Sequence, residues 1–583
     1  MAIINNINVS FKYSEIDKEF DFYILTTTDK YINGGAYILD KPIESLRAES
    51  AVFDNGRSLF LMFKKGSISQ LELAEQLEDD KMSLKKNDAS GLKDYILFRL
   101  FLFSLNNFNS DEIKFNNITG KLYLTNSNWN YKNGKVFKAL NINVDQSMNI
   151  VCETTSFTSV SLFKNKKAIL NYPKYLFSGK NGSLKRALHP ENDDVFVRKT
   201  LYQGQKTEIP FFSFFSRNEL ENNKVFYLYK TLRLLKNKYS ALMELNFKEM
   251  EVQKSITSFR DDDFIETVKE IVAFKNINLV NWSNSPEYDD EFQTITEMFS
   301  VGKIAPVIVS NKIDLTAYNV IFLHCKEYYE QNGFKDPYKN IPANCVYQHI
   351  TIEDSVDKII KDNESIFETL LKELLIKDDI INNRKISLDD WSSFGFSNEY
   401  VFGKEKDGIH FFLTVKQDGQ MNFFSKIDDF SKFDKDILNE CSNYLTDNKG
   451  KEKTVVANDK GDVIVISRTP SFALPSPTIF DAEKISRNKE YRKMYLDGVV
   501  DINIYDKGRF YNVGIKGSGM NTRIPKASHL YQIDVIKGAN FIEELLNTMA
   551  VAFVKYKSFT VMPYPIKYLN EYILMEMNKP NNK

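Results

Sequence analysis

Between residues 335 and 361 the chain sets Tyr338, Lys339, Gln348, His349, Lys358 and Lys361 around one apolar run, residues 345–352. These types hold the terminal nucleotide of a nucleic-acid strand. A ring offers a stacking face, amide and imidazole groups donate hydrogen bonds, and lysines meet the phosphate. An ordinary surface turn, started by Asp336-Pro337 with Tyr347 packed inward, would use the same residues. Both readings stay open on the residues alone.

A second set is basic. Lys164, Lys166, Lys167, Lys174, Lys180, Lys185 and Arg186 fall in one span, interleaved with Tyr172, Tyr175 and Phe177. Lysines that neutralise a backbone and rings that stack on bases are what a strand-tracking groove needs. A solvated lysine-rich surface has the same composition. The Gly-rich stretch Gly514-Ile515-Lys516-Gly517-Ser518-Gly519 misses the Walker A spacing and opens no helix after a strand. It reads as a hairpin end carrying Lys516, Arg523 and Lys526, suited to phosphate contacts.

Other chemistries find little support. The five histidines stand in no H-x-H or H-E-x-x-H spacing, so no metal site is expected. Cys152, Cys325, Cys345 and Cys441 are scattered and form no C-x-x-C pair, which fits a reducing cytoplasm. There is no G-x-S-x-G elbow. Cys325 follows His324, but neighbours on a strand point to opposite faces.

The elements that must position these residues can be read from periodicity. Residues 1–155 read as strand-rich, with apolar aromatic runs at 20–25 and 58–63 and a helix over 92–103. Residues 156–260 read as a basic linker region with a helix over 224–239. Residues 261–355 alternate helices with apolar strands, which predicts a parallel sheet with its ligand at the strand carboxyl ends. Residues 356–583 read as a helix, then hairpins at Asp418-Gly419, 459–461 and 506–508, two helices and the tail 559–568. At 583 residues the chain is too long for one core. Its formal net charge of -1 requires any nucleic-acid surface to be a local patch. Residues 1–6 lack the features of a signal peptide, and no apolar run is long enough for a membrane span.

The order of parts in the last third suits an RNase H-like fold. Two-metal cleavage needs several converging acids. The candidate first strands, 399–403 and 408–412, have no central Asp. Asp462 stands at the start of its strand, and Lys567, Tyr568 and Asn570 stand where a last acid is expected. A binder that cuts nothing is the reading that follows.

At this point the chain resembles prokaryotic Argonautes. Asp336-Pro337-Tyr338-Lys339, Ile341-Pro342 and Gln348 are similar to the MID pattern of Tyr, Lys, an Ile-Pro turn and Gln. Lys358 or Lys361 matches its later lysine. The tail Thr560-Val561-Met562-Pro563-Tyr564-Pro565 with 568–572 looks like the end of a PIWI or APAZ-type module. The resemblance implies an α/β and α+β multidomain protein. It would have a strand-rich N-terminal domain (1–155), a basic linker (156–260) without a clear PAZ domain, a Rossmann-like MID unit (261–355) and an RNase H-like PIWI unit (356–583). The Gln sits farther from the Ile-Pro turn than in the family pattern, and the catalytic acids are missing.

The function implied is that of an inactive, guide-dependent nucleic-acid binder. Its partners would be a short guide RNA or DNA, a complementary target and a separate effector, in cytoplasmic defence against plasmids or phage. A guide would be anchored at its 5′ end by Tyr338, Lys339, Gln348, His349, Lys358 and Lys361. Lys166, Lys167, Lys185, Arg186, Lys516, Arg523 and Lys526 would follow its backbone. The one cofactor the resemblance allows is Mg2+ at the guide 5′ end. Two alternatives remain at this level. One is a divergent metal-dependent nuclease using Asp462, Asp501 and Glu571. The other is a non-catalytic scaffold subunit.

Overall fold

The computed structural model describes residues 2–29, 35–106, 108, 113–131, 134–163, 166–187, 194–199, 209–212, 222–251, 254–257, 268–283, 286–301, 305–342, 344–353, 363–387, 391, 396–425, 434–446, 453–474, 477, 501–504, 509–512, 529–538, 541–549 and 562–577. They fall into two compact units. The first holds Met1–Glu251, Pro470–Tyr491 and Thr522–Ala527; the second holds Val252–Thr469, Arg492–Asn521 and Ser528–Lys583.

In the first unit, a four-stranded antiparallel sheet runs in the order Ser50–Asp54, Ser58–Lys64, Phe20–Thr27, Met82–Asn87. Alternation places Tyr23, Leu25, Leu59, Leu61 and Phe63 on one buried face. Leu73 and Leu77 of helix Gln70–Leu77 join that core. Ser69 starts this helix with a full capping box, accepting from Glu72 N while the Glu72 side chain accepts from Ser69 N. Helix Asp94–Phe103 is apolar on nearly every side and correspondingly buried. Its one interior cation, Arg99, pairs with Asp54 at 2.8 Å and donates to the Val144 carbonyl.

A seven-stranded antiparallel sheet follows, in the order Ser183–Arg186, Lys174–Ser178, Phe196–Val197, Ile150–Ser159, Val136–Val144, Lys121–Tyr131, Ile113–Ile118. The basic span 156–186 thus supplies strands to this sheet. Its two outermost strands meet through a side chain. Asn116 Oδ1 accepts from Leu184 N at 2.9 Å, and Asn116 Nδ2 donates to the Gly182 carbonyl at 3.2 Å. Strand Ala2–Phe11 pairs antiparallel with Met243–Met250.

The second unit contains two sheets. Strands Val307–Ser310, Ile277–Asn281, Tyr318–Leu323 and Tyr347–Thr351 lie in that order, all parallel. This is the parallel sheet expected for 261–355. Tyr318–Leu323 is buried along its whole length, as an inner strand covered on both faces must be. The other sheet pairs antiparallel wherever its register is defined. It includes Val463–Leu474, Lys453–Asn458, Tyr400–Lys406, Ile409–Val415 and Met421–Phe424, in that order. Helix Lys435–Thr446 packs Leu438, Cys441 and Leu445 against Val401, Phe412 and Val455. Helix Pro565–Met577 closes the described chain.

The class is therefore the expected one, mixed α/β and α+β with several domains' worth of sheets. One pairing differs from the RNase H-like order. In that order the strand after the first helix runs parallel to the first strand. Here Lys453–Asn458 is antiparallel to Tyr400–Lys406, with Tyr400 opposite Asn458 and Lys404 opposite Thr454. No described helix is long and apolar enough to cross a membrane.

Candidate nucleic-acid site

The carboxyl ends of the parallel strands carry a cluster of rings. Strand Tyr318–Leu323 leads into His324, a buried imidazole stacked on Tyr328 with ring centroids 3.7 Å apart. His324 Nδ1 lies 2.6 Å from Glu353 Oε1, and the other oxygen of Glu353 accepts from Cys325 N. Burial disfavours the Glu353 charge, but the Cys325 N–H and His324 outweigh it and hold this carboxyl below its usual range.

Tyr338 sits in the short turn Pro337–Asn340, where Asp336 accepts from its N–H at 2.9 Å. Its hydroxyl donates to the His324 carbonyl at 3.0 Å. Its ring meets His349 edge to face at 5.3 Å, and Lys326 Nζ lies 5.2 Å from its centroid. Burial, with help from Lys377 and Lys326, pushes the His349 imidazole down to about 4. At neutral pH His349 is therefore an uncharged ring. Its Nδ1 is buried, with no hydrogen-bond partner among the described residues.

Gln348 is on the other face of the same strand, as alternation requires. Its side chain turns away from Tyr338 and meets helix Asn363–Asp378. Lys377 Nζ donates to Gln348 Oε1 and to the Tyr347 carbonyl, both at 2.8 Å, and lies 4.5 Å from the Tyr347 ring centroid. Burial lowers the pKa of Lys377, opposed by Glu571 and Glu373. Lys567 stands beside them, 3.0 Å from Glu373 Oε1 and 2.8 Å from Glu571 Oε1. Burial works against its charge, but the two glutamates outweigh that and raise its pKa. Burial also raises the Glu373 carboxyl.

The expected 5′-end set is thus divided. Tyr338 and His349 come together on one face of the strand, while Gln348 joins a different group on the other. For Lys339 only the backbone is described, and Lys358 and Lys361 lie outside the described residues. The sequence reading missed Lys326, Lys377 and Glu373, and named Lys567 only as standing where a last acid is expected. A signal for Lys377 was present. It ends the run Leu370, Leu371, Leu374, Leu375, Ile376, all buried, and a lysine there is costly unless paired. An Mg2+ ion would need carboxylate oxygens, and both glutamates are bonded to Lys567. Among the described residues, no group of three or more His, Cys, Asp and Glu side chains stands there to hold one.

The expected backbone-tracking residues also differ from one another. Lys166 and Lys167 are exposed on the turn Lys166–Ile169. Lys185 is exposed opposite Leu176. Arg186 lies 4.5 Å from the Tyr37 ring centroid. Two lysines of the basic region hold the fold instead. Lys174 donates to the carbonyls of Ile169, Leu170 and Tyr172, and Lys238 donates to the Ser104 carbonyl. Lys516, Arg523 and Lys526 lie outside the described residues.

The positions proposed for catalytic acids can be inspected directly. Gly403 occupies the middle of Tyr400–Lys406. A Cβ there would stand 2.9 Å from Phe412 Cε1 and 3.3 Å from Leu445 Cδ1. Asp462 accepts from Asn458 Nδ2 across the hairpin turn, and Glu571 is paired with Lys567. The side chain of Asp501 lies outside what is described. Among the described residues, no group of three or more His, Cys, Asp and Glu side chains is placed to hold a metal ion.

No protein-family model matches the chain, and no curated protein matches it. In solved structures the chain is similar to three Argonautes. Marinitoga piezophila Argonaute, in complex with 5′ OH guide RNA and target DNA, is 12% identical. The match covers 98% of each chain with a TM-score of 0.43. Kluyveromyces polysporus Argonaute with a guide RNA is 9% identical over 98% of this chain and 93% of that one, with a TM-score of 0.48. A. aeolicus Argonaute is 9% identical over 98% and 97%, with a TM-score of 0.37. All three scores lie below 0.5, and no residue's role follows from them.

Proposed function

We propose that this chain is a guide-dependent nucleic-acid binder that does not itself cut. The observation that carries the reading is the group at the parallel strands' carboxyl ends. Tyr338 is held in place by its bond to the His324 carbonyl, flanked by the uncharged His349 ring and approached by Lys326. Ligands of parallel α/β sheets bind at that end. A fixed ring, a neutral imidazole and a cation suit a terminal nucleotide. Base pairing would supply sequence specificity while the protein reads backbone and shape, as in other guided systems.

The non-cutting part rests on the Gly403 position. An Asp there would have to displace Phe412 and Leu445. Action with a separate effector in defence follows from the family resemblance alone.

The test is to load the protein with a short strand and add labelled complementary and scrambled targets with Mg2+. Retention of the complementary target, intact, is the expected result. Equal retention of both targets would remove guide dependence. Cleavage of the complement would return the nuclease alternative.

A further inference from the structure

One face of the seven-stranded sheet is filled by rings, among them Tyr123, Phe137, Phe157 and Phe196. Toward the Lys121 end this face turns polar. Tyr123 stands opposite Asn141, and Asn141 opposite Glu153, on three neighbouring strands. Residues directly opposite in antiparallel strands share a face, and so do residues two apart, so Lys121 belongs to the same group. Arg198, just past strand Phe196–Val197, joins it by donating to the Tyr123 hydroxyl at 3.0 Å.

This group is unfavourable as it stands. Burial works against the Lys121 charge, the like charge of Arg198 adds to that, and Glu153 opposes it only in part. Neither cation forms an ion pair among the described residues. Asn141 Oδ1 is buried and has no hydrogen-bond partner there. Tyr123 accepts from Arg198 and so keeps its own proton to donate. Lys121 is half-buried and Arg198 exposed, so a ligand can reach both. Two cations and a hydroxyl converging from separate strands suit a tetrahedral oxyanion, whose several oxygens can each accept from one of them. The free Asn141 carboxamide would add a donor or an acceptor beside it, according to which way it turns.

We infer that this end of the sheet is a phosphate-binding site, with Lys121, Arg198 and the Tyr123 hydroxyl as its donors. It goes beyond the guide-binding reading and does not depend on it, since that reading rests on Tyr338 in the other unit. A free phosphate and a backbone phosphate of a nucleic-acid strand share this chemistry. Glu153 weakens the site, because its charge opposes the ligand's.

The experiment uses the full chain and two probes, inorganic phosphate titrated against chloride of matched ionic strength, and a short labelled single strand of DNA. Saturable binding is expected, weakened by about tenfold or more in Lys121→Gln and in Arg198→Gln and tightened in Glu153→Gln. A response of both probes would mark a site open to free phosphate, and a response of the strand alone would assign the phosphate to a backbone. Affinities for both probes that are the same in all three variants, or no binding of either probe, would overturn the inference. Strand binding that survives these substitutions but not Tyr338→Ala would overturn it for the strand and leave guide binding standing. Without phosphate, Lys121→Gln should unfold at the same denaturant concentration or higher, because it removes a repulsion; a lower midpoint would show that Lys121 serves the fold instead. Glu153 is exposed, so its variant decides the matter even if Arg198→Gln folds poorly.

Discussion

Lys377 donates to the side-chain oxygen of Gln348 at 2.8 Å, so the one amide of the expected 5′-end set is held by a lysine from the following helix. The same ammonium bonds the Tyr347 carbonyl and approaches the Tyr347 ring. One side chain thus ties the edge strand of the parallel sheet to helix Asn363–Asp378. Substituting Lys377→Met keeps much of the volume but leaves Gln348 Oε1 and the Tyr347 carbonyl without this donor. A loss of about 1–3 kcal/mol is expected, the cost of stranding buried acceptors. Denaturant unfolding would measure it, and an unchanged midpoint would show that these bonds are dispensable.

Gly403 is the residue whose replacement bears on cleavage. Gly403→Ala forces a Cβ toward Phe412 and Leu445 and should cost about 1–3 kcal/mol through overpacking. Gly403→Asp should cost more, and should yield no Mg2+-dependent cleavage. Unfolding and a cleavage assay on the same preparations would check both. Cleavage gained by Gly403→Asp would mean that the remaining acids are closer to a working site than their hydrogen bonds suggest.

Asn116 and Asn117 each use a carboxamide as a short piece of strand. Asn116 joins the outermost strands of the seven-stranded sheet, and Asn117 exchanges two hydrogen bonds with the backbone of Ala51, at 2.8 and 3.0 Å. Substituting Asn116→Leu removes the bond to Leu184 N and should destabilise by about 1–3 kcal/mol. Faster amide exchange at Leu184 is the specific expectation, and protection that stays unchanged there would refute it.

Asp40 gives a pH dependence. It is buried, and burial pushes its carboxyl up to about 7, offset in part by the Thr119 N–H. The folded state keeps this proton to about pH 7, while the unfolded chain loses it near pH 4. Its effect is therefore to lower stability as pH rises between those values, by up to about 4 kcal/mol. Above pH 7 the effect is constant. Asp40→Asn should flatten that slope. Unfolding midpoints at pH 5 and pH 8, compared between the two proteins, would test it.

The parallel unit was legible because its strands are short, apolar and separated by helices. The strand Tyr347–Thr351 falls inside the apolar run 345–352. The grouping of site residues was less legible. Gln348 and His349 are adjacent in sequence, and only the pleat decides that one meets Lys377 and the other Tyr338. Lys567, Glu373 and Glu571 come from two helices far apart in the chain, and no local pattern brings them together. The lysines of 156–186 look alike in sequence, yet Lys174 is fixed by three carbonyls that only the folded turn presents.

The most direct measurement is on the protein as made in bacteria. Purify it through high salt, extract with phenol, and end-label what remains. A discrete population of short strands, reduced in a Tyr338→Ala, Lys326→Ala protein that still folds, is the expected result. Protein that carries no nucleic acid under those conditions would contradict tight guide binding and favour the scaffold alternative.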